Sequence, residues 1–167
     1  GRLLVQRRQF VERLIDGLRP AARLRWSPAQ NLHITTKFIG EWPEGRLPEM
    51  ESALRGVTGH HAISIAIRGL GWFPNPHNPR IFWAAVRAAE ALPAFAKATA
   101  EAALTVGVPL ESRPYSPHLT LARIEGTADL APLRRAVAAL PSADFGEFTS
   151  TQFHLYRSEP GPGGSIY

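Results

Sequence analysis

Two short stretches of the chain, NLHITTKFIG at residues 31–40 and SPHLTLARIEG at residues 116–126, carry the same pattern. Each holds a histidine, an aliphatic residue and a threonine in that order, at His33–Thr35 and at His118–Thr120. One copy falls in each half of the chain, and a pattern that recurs in this way indicates an internally repeated architecture. The repeat therefore predicts a fold made of two related halves.

Both triplets sit in runs of β-branched and aliphatic residues, which predict strands. Successive side chains of a strand point to opposite faces, so His33 and Thr35 share one face while Ile34 points to the other. The same alternation applies to the second triplet, His118–Thr120. If an approximate twofold axis relates the halves, both imidazoles and both hydroxyls converge on one cleft.

The residue types in that cleft predict phosphate chemistry. Imidazole has an unperturbed pKa of about 6.5, so of two histidines one can act as a base while the other acts as an acid. A threonine hydroxyl can donate a hydrogen bond to an anionic oxygen. A single His-x-Thr is more often an ordinary strand histidine, but two equivalent copies favour a phosphate or cyclic-phosphate site that works without metal. A metal site is the weaker interpretation, because no acidic residue stands at a ligand-like spacing beside either histidine.

Composition limits the remaining possibilities. The 167 residues, 44% of them hydrophobic, suffice for one globular domain, and we expect a single domain over residues 1–167. The net charge of +5 is compatible with phosphate partners. The absence of cysteine from the sequence excludes a thiol nucleophile, a thiolate metal site and disulfides. No apolar run approaches the roughly 18 residues of a membrane span, and no secretory signal pattern opens the chain, so we expect a soluble, cytoplasmic protein.

Apolar periodicity predicts helices and strands that alternate along the chain. The predicted helices cover residues 10–18, Pro48–Arg55, Leu92–Val106 and Leu130–Leu140. The predicted strands cover Leu3–Val5, Leu32–Ile39, residues 61–70, residues 81–86, the second motif and residues 147–158. Between two of these strands, the proline-rich segment GWFPNPHNPR at residues 71–80 predicts an irregular loop.

The paired motifs make the chain resemble the two-histidine phosphoesterases, and within them the RNA 2′,3′-cyclic phosphodiesterases known as the LigT or 2′-5′ RNA ligase family. Thr36 is a departure, since leucine is common there. The resemblance implies an α+β fold of two pseudo-symmetric lobes, each an antiparallel sheet backed by helices, with the active-site cleft between them. The stretches that support it are residues 25–33, 71–86, 113–123 and 155–164.

The resemblance also implies an activity, namely hydrolysis of a 2′,3′-cyclic phosphate on RNA or a nucleotide to a 2′-phosphomonoester, with 2′-5′ ligation as the related reaction. His118 would be the general base and His33 the general acid, while Thr35 and Thr120 would hold the phosphate oxygens. The implied enzyme needs no cofactor or metal, acts on RNA ends or nucleotides carrying the cyclic phosphate, binds no membrane and is a monomer. The alternative is a module that binds a nucleotide or RNA 2′-phosphate in the same cleft without turnover.

Five further residues are candidates near this cleft. Arg123 would bind the phosphate. Strict strand alternation, however, places Arg123 on the face opposite His118, so a bulge or a strand end is required for it to reach the cleft. Phe38 falls on the core side by alternation, and we expect it to pack there rather than stack on a base. Tyr115 is equally suited to base contact and to loop packing. His154 is a less favoured candidate for contact with the substrate, and Trp83 is expected to lie in the core. The other histidines, His60, His61 and His77, are expected to be solvated.

Overall fold

The computed structural model describes residues 5–59, 62–161 and 164–166. His60 and His61 lie outside the described residues, as does most of the strand predicted at the N-terminus, whose last residue Val5 instead begins a helix. No helix in the described ranges is both long enough and apolar enough to cross a membrane.

Helices and strands alternate along most of the chain. The helices are α1 (Val5–Leu18), α2 (Leu47–Arg55), α3 (Ala91–Thr105) and α4 (Ala131–Ala138), with single 3₁₀ turns at Arg19–Ala21, Ala29–Asn31 and Glu44–Arg46. The strands are β1 (Arg25–Trp26), β2 (Ile63–Phe73), β3 (Ile81–Arg87), β4 (His118–Arg123), β5 (Asp144–Ser150), β6 (Glu159–Gly161) and β7 (Gly164–Ile166). All four predicted helices are confirmed, with ends displaced by a few residues.

Five strands form one antiparallel sheet in the order β1-β4-β3-β2-β5, and β6 pairs with β7 in a separate hairpin. Helix α1 packs against β5 and α4, and its Leu14 and Ile15 join Phe82 and Leu119 in the main hydrophobic core. The α+β class is thereby confirmed. Among the described residues, however, only the short β6-β7 hairpin lies outside the large sheet, so two equivalent sheets are not observed.

The strand predicted over Leu32–Ile39 is wrong for most of its length. Only Ile34 pairs, in an isolated antiparallel bridge with Leu119. Extending that register by two residues would bring Thr36 opposite Pro117, which has no N–H to donate to a ladder. The pairing partner, rather than the β-propensity of the segment, ends the strand.

Other contacts hold the irregular segment that follows Ile34. The Lys37 side chain is 7% exposed, and its Nζ donates hydrogen bonds to the carbonyl of Pro109 at 2.9 Å and to Glu111 at 3.3 Å. Ile39 and Trp42 pack against a second hydrophobic cluster, formed between α2 and α3 by Met50, Leu54, Ala103 and Val108. The segment is thus fixed by side-chain contacts without strand pairing.

Two more predicted boundaries are corrected by the sheet register. The strand predicted over residues 147–158 ends at Ser150, because Ser150 already lies opposite Ile63, the first residue of β2. Conversely, β2 runs through Phe73 and ends only at Pro74, so the predicted loop begins later than residue 71. Residues 151–158 are irregular and run beside the cleft described next.

Candidate active site

The bridge between Ile34 and Leu119 aligns the two motifs. In an antiparallel pair the neighbours of two opposite residues are also opposite each other, so this register sets His33 beside Thr120 and His118 beside Thr35. Leu119 is buried and Ile34 packs against the same core. The side chains that flank them therefore share the other face, where all four line one cleft of about 1160 Å³.

The two imidazoles are oriented in the same way. His33 Nδ1 lies 2.6 Å from the carbonyl oxygen of Asn31, and His118 Nδ1 lies 2.8 Å from the carbonyl oxygen of Ser116. A carbonyl oxygen only accepts hydrogen bonds, so Nδ1 carries the hydrogen in both rings. Nε2 is then the nitrogen whose protonation can change during a reaction. Each contact joins a histidine to the residue two positions earlier, so the local geometry is repeated along with the sequence.

A bulge in β4 brings Arg123 to the same face. Trp83 of β3 lies opposite Thr120, whereas Phe82 lies opposite Ala122, so Leu121 is the extra residue. Ile81 then pairs with Arg123, two positions from Trp83 and on its face of the sheet. Arg123 is exposed and lines the cleft beside the motif residues. The bulge that strand alternation required for this placement is therefore present.

The core position expected for Phe38 is wrong. Its side chain is 73% exposed and lines the cleft. Strand alternation does not extend to Phe38, because pairing stops at Ile34 and the backbone beyond it is irregular. The residue is therefore an exposed aromatic side chain close in sequence to the first motif.

Tyr115 joins the two motifs. Its hydroxyl donates a hydrogen bond to the Thr35 carbonyl oxygen at 3.1 Å, and its ring packs against the main core. Burial raises the pKa of Tyr115 to about 12, so the hydroxyl remains a donor well above neutral pH. Of the two roles open to this residue, base contact and loop packing, the structure shows loop packing. The hydrogen bond also joins the turn before the second motif to the backbone of the first motif.

The irregular segment after β5 covers the side of the cleft near His33. His154 is exposed and lines the cleft, and its ring lies 5.9 Å from that of Tyr156. Tyr156 in turn lies 6.1 Å from the His33 ring. An ion pair between Arg157 and Glu44 joins this segment to the turn before α2. Tyr156 also lines the cleft, and its placement depends on this irregular path.

Trp83 does not lie in the core as expected. It shares the sheet face of Thr120, while the neighbouring Phe82 points into the core. The Trp83 ring stacks on Phe73 and lies 6.3 Å from the His118 ring. His77, by contrast, is exposed as expected. In the part of the chain that the structure describes, no three histidine, aspartate or glutamate side chains are grouped as metal ligands.

Comparison with known proteins identifies the class to which this fold and site belong. The chain matches the family model of the LigT-like phosphoesterases over residues 5–83 and 85–167, and it is a member of that family.

Individual relatives cover most of the chain. It is 33% identical over 162 residues to the RNA 2′,3′-cyclic phosphodiesterase of Methanothermobacter thermautotrophicus, across 96% of this chain and 88% of the relative. It is 30% identical over 161 residues to the RNA 2′,3′-cyclic phosphodiesterase of Archaeoglobus fulgidus, across 96% and 89%. Among solved structures, the protein TT0787 of Thermus thermophilus superposes with a TM-score of 0.79 at 28% identity, across 99% of this chain and 89% of that one. The fold of Escherichia coli LigT, solved with 3′-AMP, is also similar, with a TM-score of 0.75 at 20% identity over 99% and 88%.

Proposed function

We propose that this protein hydrolyses 2′,3′-cyclic phosphate ends of RNA to 2′-phosphomonoesters by acid–base catalysis with two histidines. The observation that carries the proposal is the matched orientation of His33 and His118, each with Nδ1 bonded to a carbonyl two residues earlier. Diagonal neighbours across an antiparallel pair lie about 7–8 Å apart. That spacing suits one phosphate group held between the two imidazoles.

In the proposed reaction, Nε2 of neutral His118 removes a proton from a water molecule, whose oxygen attacks phosphorus. The bond from phosphorus to the 3′ oxygen breaks, and protonated His33 donates its Nε2 proton to that oxygen. One imidazole must therefore start neutral and the other protonated, so kcat/KM passes through a maximum as pH varies. In ligation a 5′-hydroxyl takes the place of water, so His118 removes the proton of that hydroxyl, His33 again protonates the 3′ oxygen, and an RNA 2′-5′ bond is the product. The two roles reverse only when that 2′-5′ bond is cleaved.

Neighbouring side chains stabilise the charge that develops on phosphorus. The hydroxyls of Thr35 and Thr120 donate to the non-bridging oxygens, and the guanidinium of Arg123 neutralises the phosphate. The proposal also keeps the arrangement of two lobes that face each other across the cleft. The antiparallel pairing of the two motifs at Ile34 and Leu119 supports this arrangement.

The aromatic side chains of the cleft support RNA ends as substrates. Exposed Phe38 and Tyr156 offer aromatic faces in the same cleft, where nucleobases of the strand can stack.

The test is incubation with 2′,3′-cyclic AMP in EDTA, with the product identified as the 2′- or the 3′-phosphate. We expect the 2′-phosphate, and we expect EDTA to leave the rate unchanged. Adding RNA with a 5′-hydroxyl end to RNA with a cyclic end tests for ligation. Tight binding of a nucleotide monophosphate without hydrolysis would instead identify a binding module, and full turnover by the double variant His33→Ala/His118→Ala would refute the proposed mechanism.

A further inference from the structure

Gly71 of β2 lies opposite Trp83 of β3, and the indole occupies the space where a side chain at position 71 would be. A Cβ built on Gly71 would lie 2.2, 2.6 and 2.7 Å from three ring atoms of Trp83. The glycine backbone is not in the left-handed region, so glycine is needed here for space and not for conformation. The Trp83 ring therefore lies flat across the backbone of β2.

The flattened indole supports a second ring, which contacts His118. Trp83 stacks on Phe73 with ring centroids 4.9 Å apart and planes inclined by 23°. Phe73 meets the His118 imidazole edge to face, at 5.3 Å and 74°. Trp83 itself lies 6.3 Å from that imidazole, at 62°. Trp83 and Phe73 thus form a continuous aromatic layer beneath His118, and Gly71 leaves the space that the indole occupies. We call these three residues the aromatic shelf.

The shelf supplies a constraint that the hydrogen bond of His118 lacks. The bond from Nδ1 to the Ser116 carbonyl fixes one point of the ring, about which the imidazole can still tilt. Rings packed edge to face restrict that tilt, because such aromatic pairs are favourable beyond the area that they bury. The ring near His33 differs, since Tyr156 belongs to the irregular segment after β5.

We propose that Gly71, Trp83 and Phe73 are positioning residues, which hold the His118 imidazole at the angle at which Nε2 meets the attacking water. The inference rests on the proposed function only in assigning proton transfer to His118. The orientation of the ring can be measured without turnover.

Gly71→Ala tests the shelf with one added methyl group, and Gly17→Ala is its matched control. Gly17 lies in α1 and has no heavy atom within 4 Å of a built Cβ. For Gly71→Ala we expect kcat on 2′,3′-cyclic AMP to fall roughly 10- to 100-fold with little change in KM, as for a small misplacement of a catalytic group. For Gly17→Ala we expect both constants to stay at the wild-type values.

Phe73→Leu and Phe73→Tyr separate positioning from folding if Gly71→Ala proves unstable. Leucine removes the ring and tyrosine keeps it, so we expect Phe73→Leu to lose kcat and Phe73→Tyr to recover most of it. In every variant, ¹⁵N NMR of the imidazole reports the Nδ1–H tautomer and the bond to Ser116. We expect these signals to shift in Gly71→Ala and Phe73→Leu, and to be unchanged in Gly17→Ala.

Two results would overturn the inference. One is a folded Gly71→Ala or Phe73→Leu variant whose kcat and His118 imidazole signals both match wild type. The other is a loss of stability with kcat per folded molecule unchanged, which would make the shelf merely structural. If the wild-type protein has no turnover, the proposed function fails, and the imidazole signals alone decide whether the shelf positions His118.

Discussion

Ile34 and Leu119, which each follow a motif histidine, lie opposite one another in an antiparallel bridge. The local twofold symmetry of such a pair exchanges the two motifs, so each histidine is set beside the threonine of the other motif. The two copies of the triplet therefore lie side by side and line one cleft. Each end of this pair combines a histidine from one half of the chain with a threonine from the other.

Replacing either motif threonine by valine removes a hydroxyl while keeping the shape of the side chain. For Thr35→Val and for Thr120→Val we expect kcat to fall by roughly 10²–10³, the usual cost of losing one donor to a developing anionic oxygen. Steady-state kinetics on 2′,3′-cyclic AMP measure this loss. Thr105→Val is the matched control, because the Thr105 hydroxyl bonds to Ala102 on the exposed surface of α3. Equal activity in all three variants would exclude the threonines from the reaction.

Alanine at either motif histidine removes one proton-transfer group. We expect His33→Ala and His118→Ala each to lower kcat/KM by about 10²–10⁴, the usual contribution of general acid–base catalysis. We expect the double variant to lose less than the product of the two single losses, because the groups act in one step. His77→Ala, in an exposed loop, is the control and should retain full activity. A loss in His77→Ala as large as that in His33→Ala would contradict the assignment.

Tyr115→Phe removes the hydroxyl that bonds to the Thr35 carbonyl but keeps the packed ring. We expect the variant to be about 1 kcal/mol less stable than wild type at pH 7. Because the folded-state pKa of Tyr115, about 12, lies above the unfolded value of about 10, the contribution of the neutral phenol is complete below pH 10 and is lost as the pH rises through 12. The difference in unfolding free energy between wild type and variant should therefore shrink over that range.

Urea denaturation at pH 8, 10 and 12 measures this difference. Tyr156→Phe serves as the control, because Tyr156 is exposed and the bond of Tyr115 is intact in that variant. An alkaline loss that persists unchanged in Tyr115→Phe would show that another group causes it.

Phe38→Ala distinguishes a substrate contact from a packed residue. Since its side chain is 73% exposed, we expect the free energy of unfolding to change by no more than about 0.5 kcal/mol. Loss of stacking on one base should weaken binding of an RNA end by about 1–3 kcal/mol, measured as a higher KM. Leu104→Ala, an exposed apolar residue of α3, is the control for both measurements. A Phe38→Ala variant that is strongly destabilised would restore the core assignment.

Sequence patterns identified the elements whose partners are local. The four helices follow from apolar periodicity, and β3 and β4 follow from runs of β-branched and aliphatic residues. The two-histidine pattern likewise needs only the residues themselves. Strand alternation showed that Arg123 needs a bulge to reach the cleft. Only the register of β3 against β4 locates that bulge at Leu121.

Sequence patterns misplaced the residues whose environment depends on distant pairing. Residues 35–39 have strand propensity, but the next backbone that they would meet contains Pro117, so the strand stops and Phe38 is exposed. The apolar sequence around Trp83 predicts a core residue, but its indole instead lies against Gly71 of the neighbouring strand. The Tyr115 bond to Thr35 joins positions far apart in the chain.

The sequence by itself indicated the chemistry, because a repeated pattern of histidine and threonine provides two groups that can exchange protons and two hydroxyl donors. The tertiary structure decided the geometry of that pair. The bridge of Ile34 to Leu119, the bulge at Leu121 and the aromatic shelf under His118 each depend on strand register, and register is set by contacts between residues that are remote along the chain.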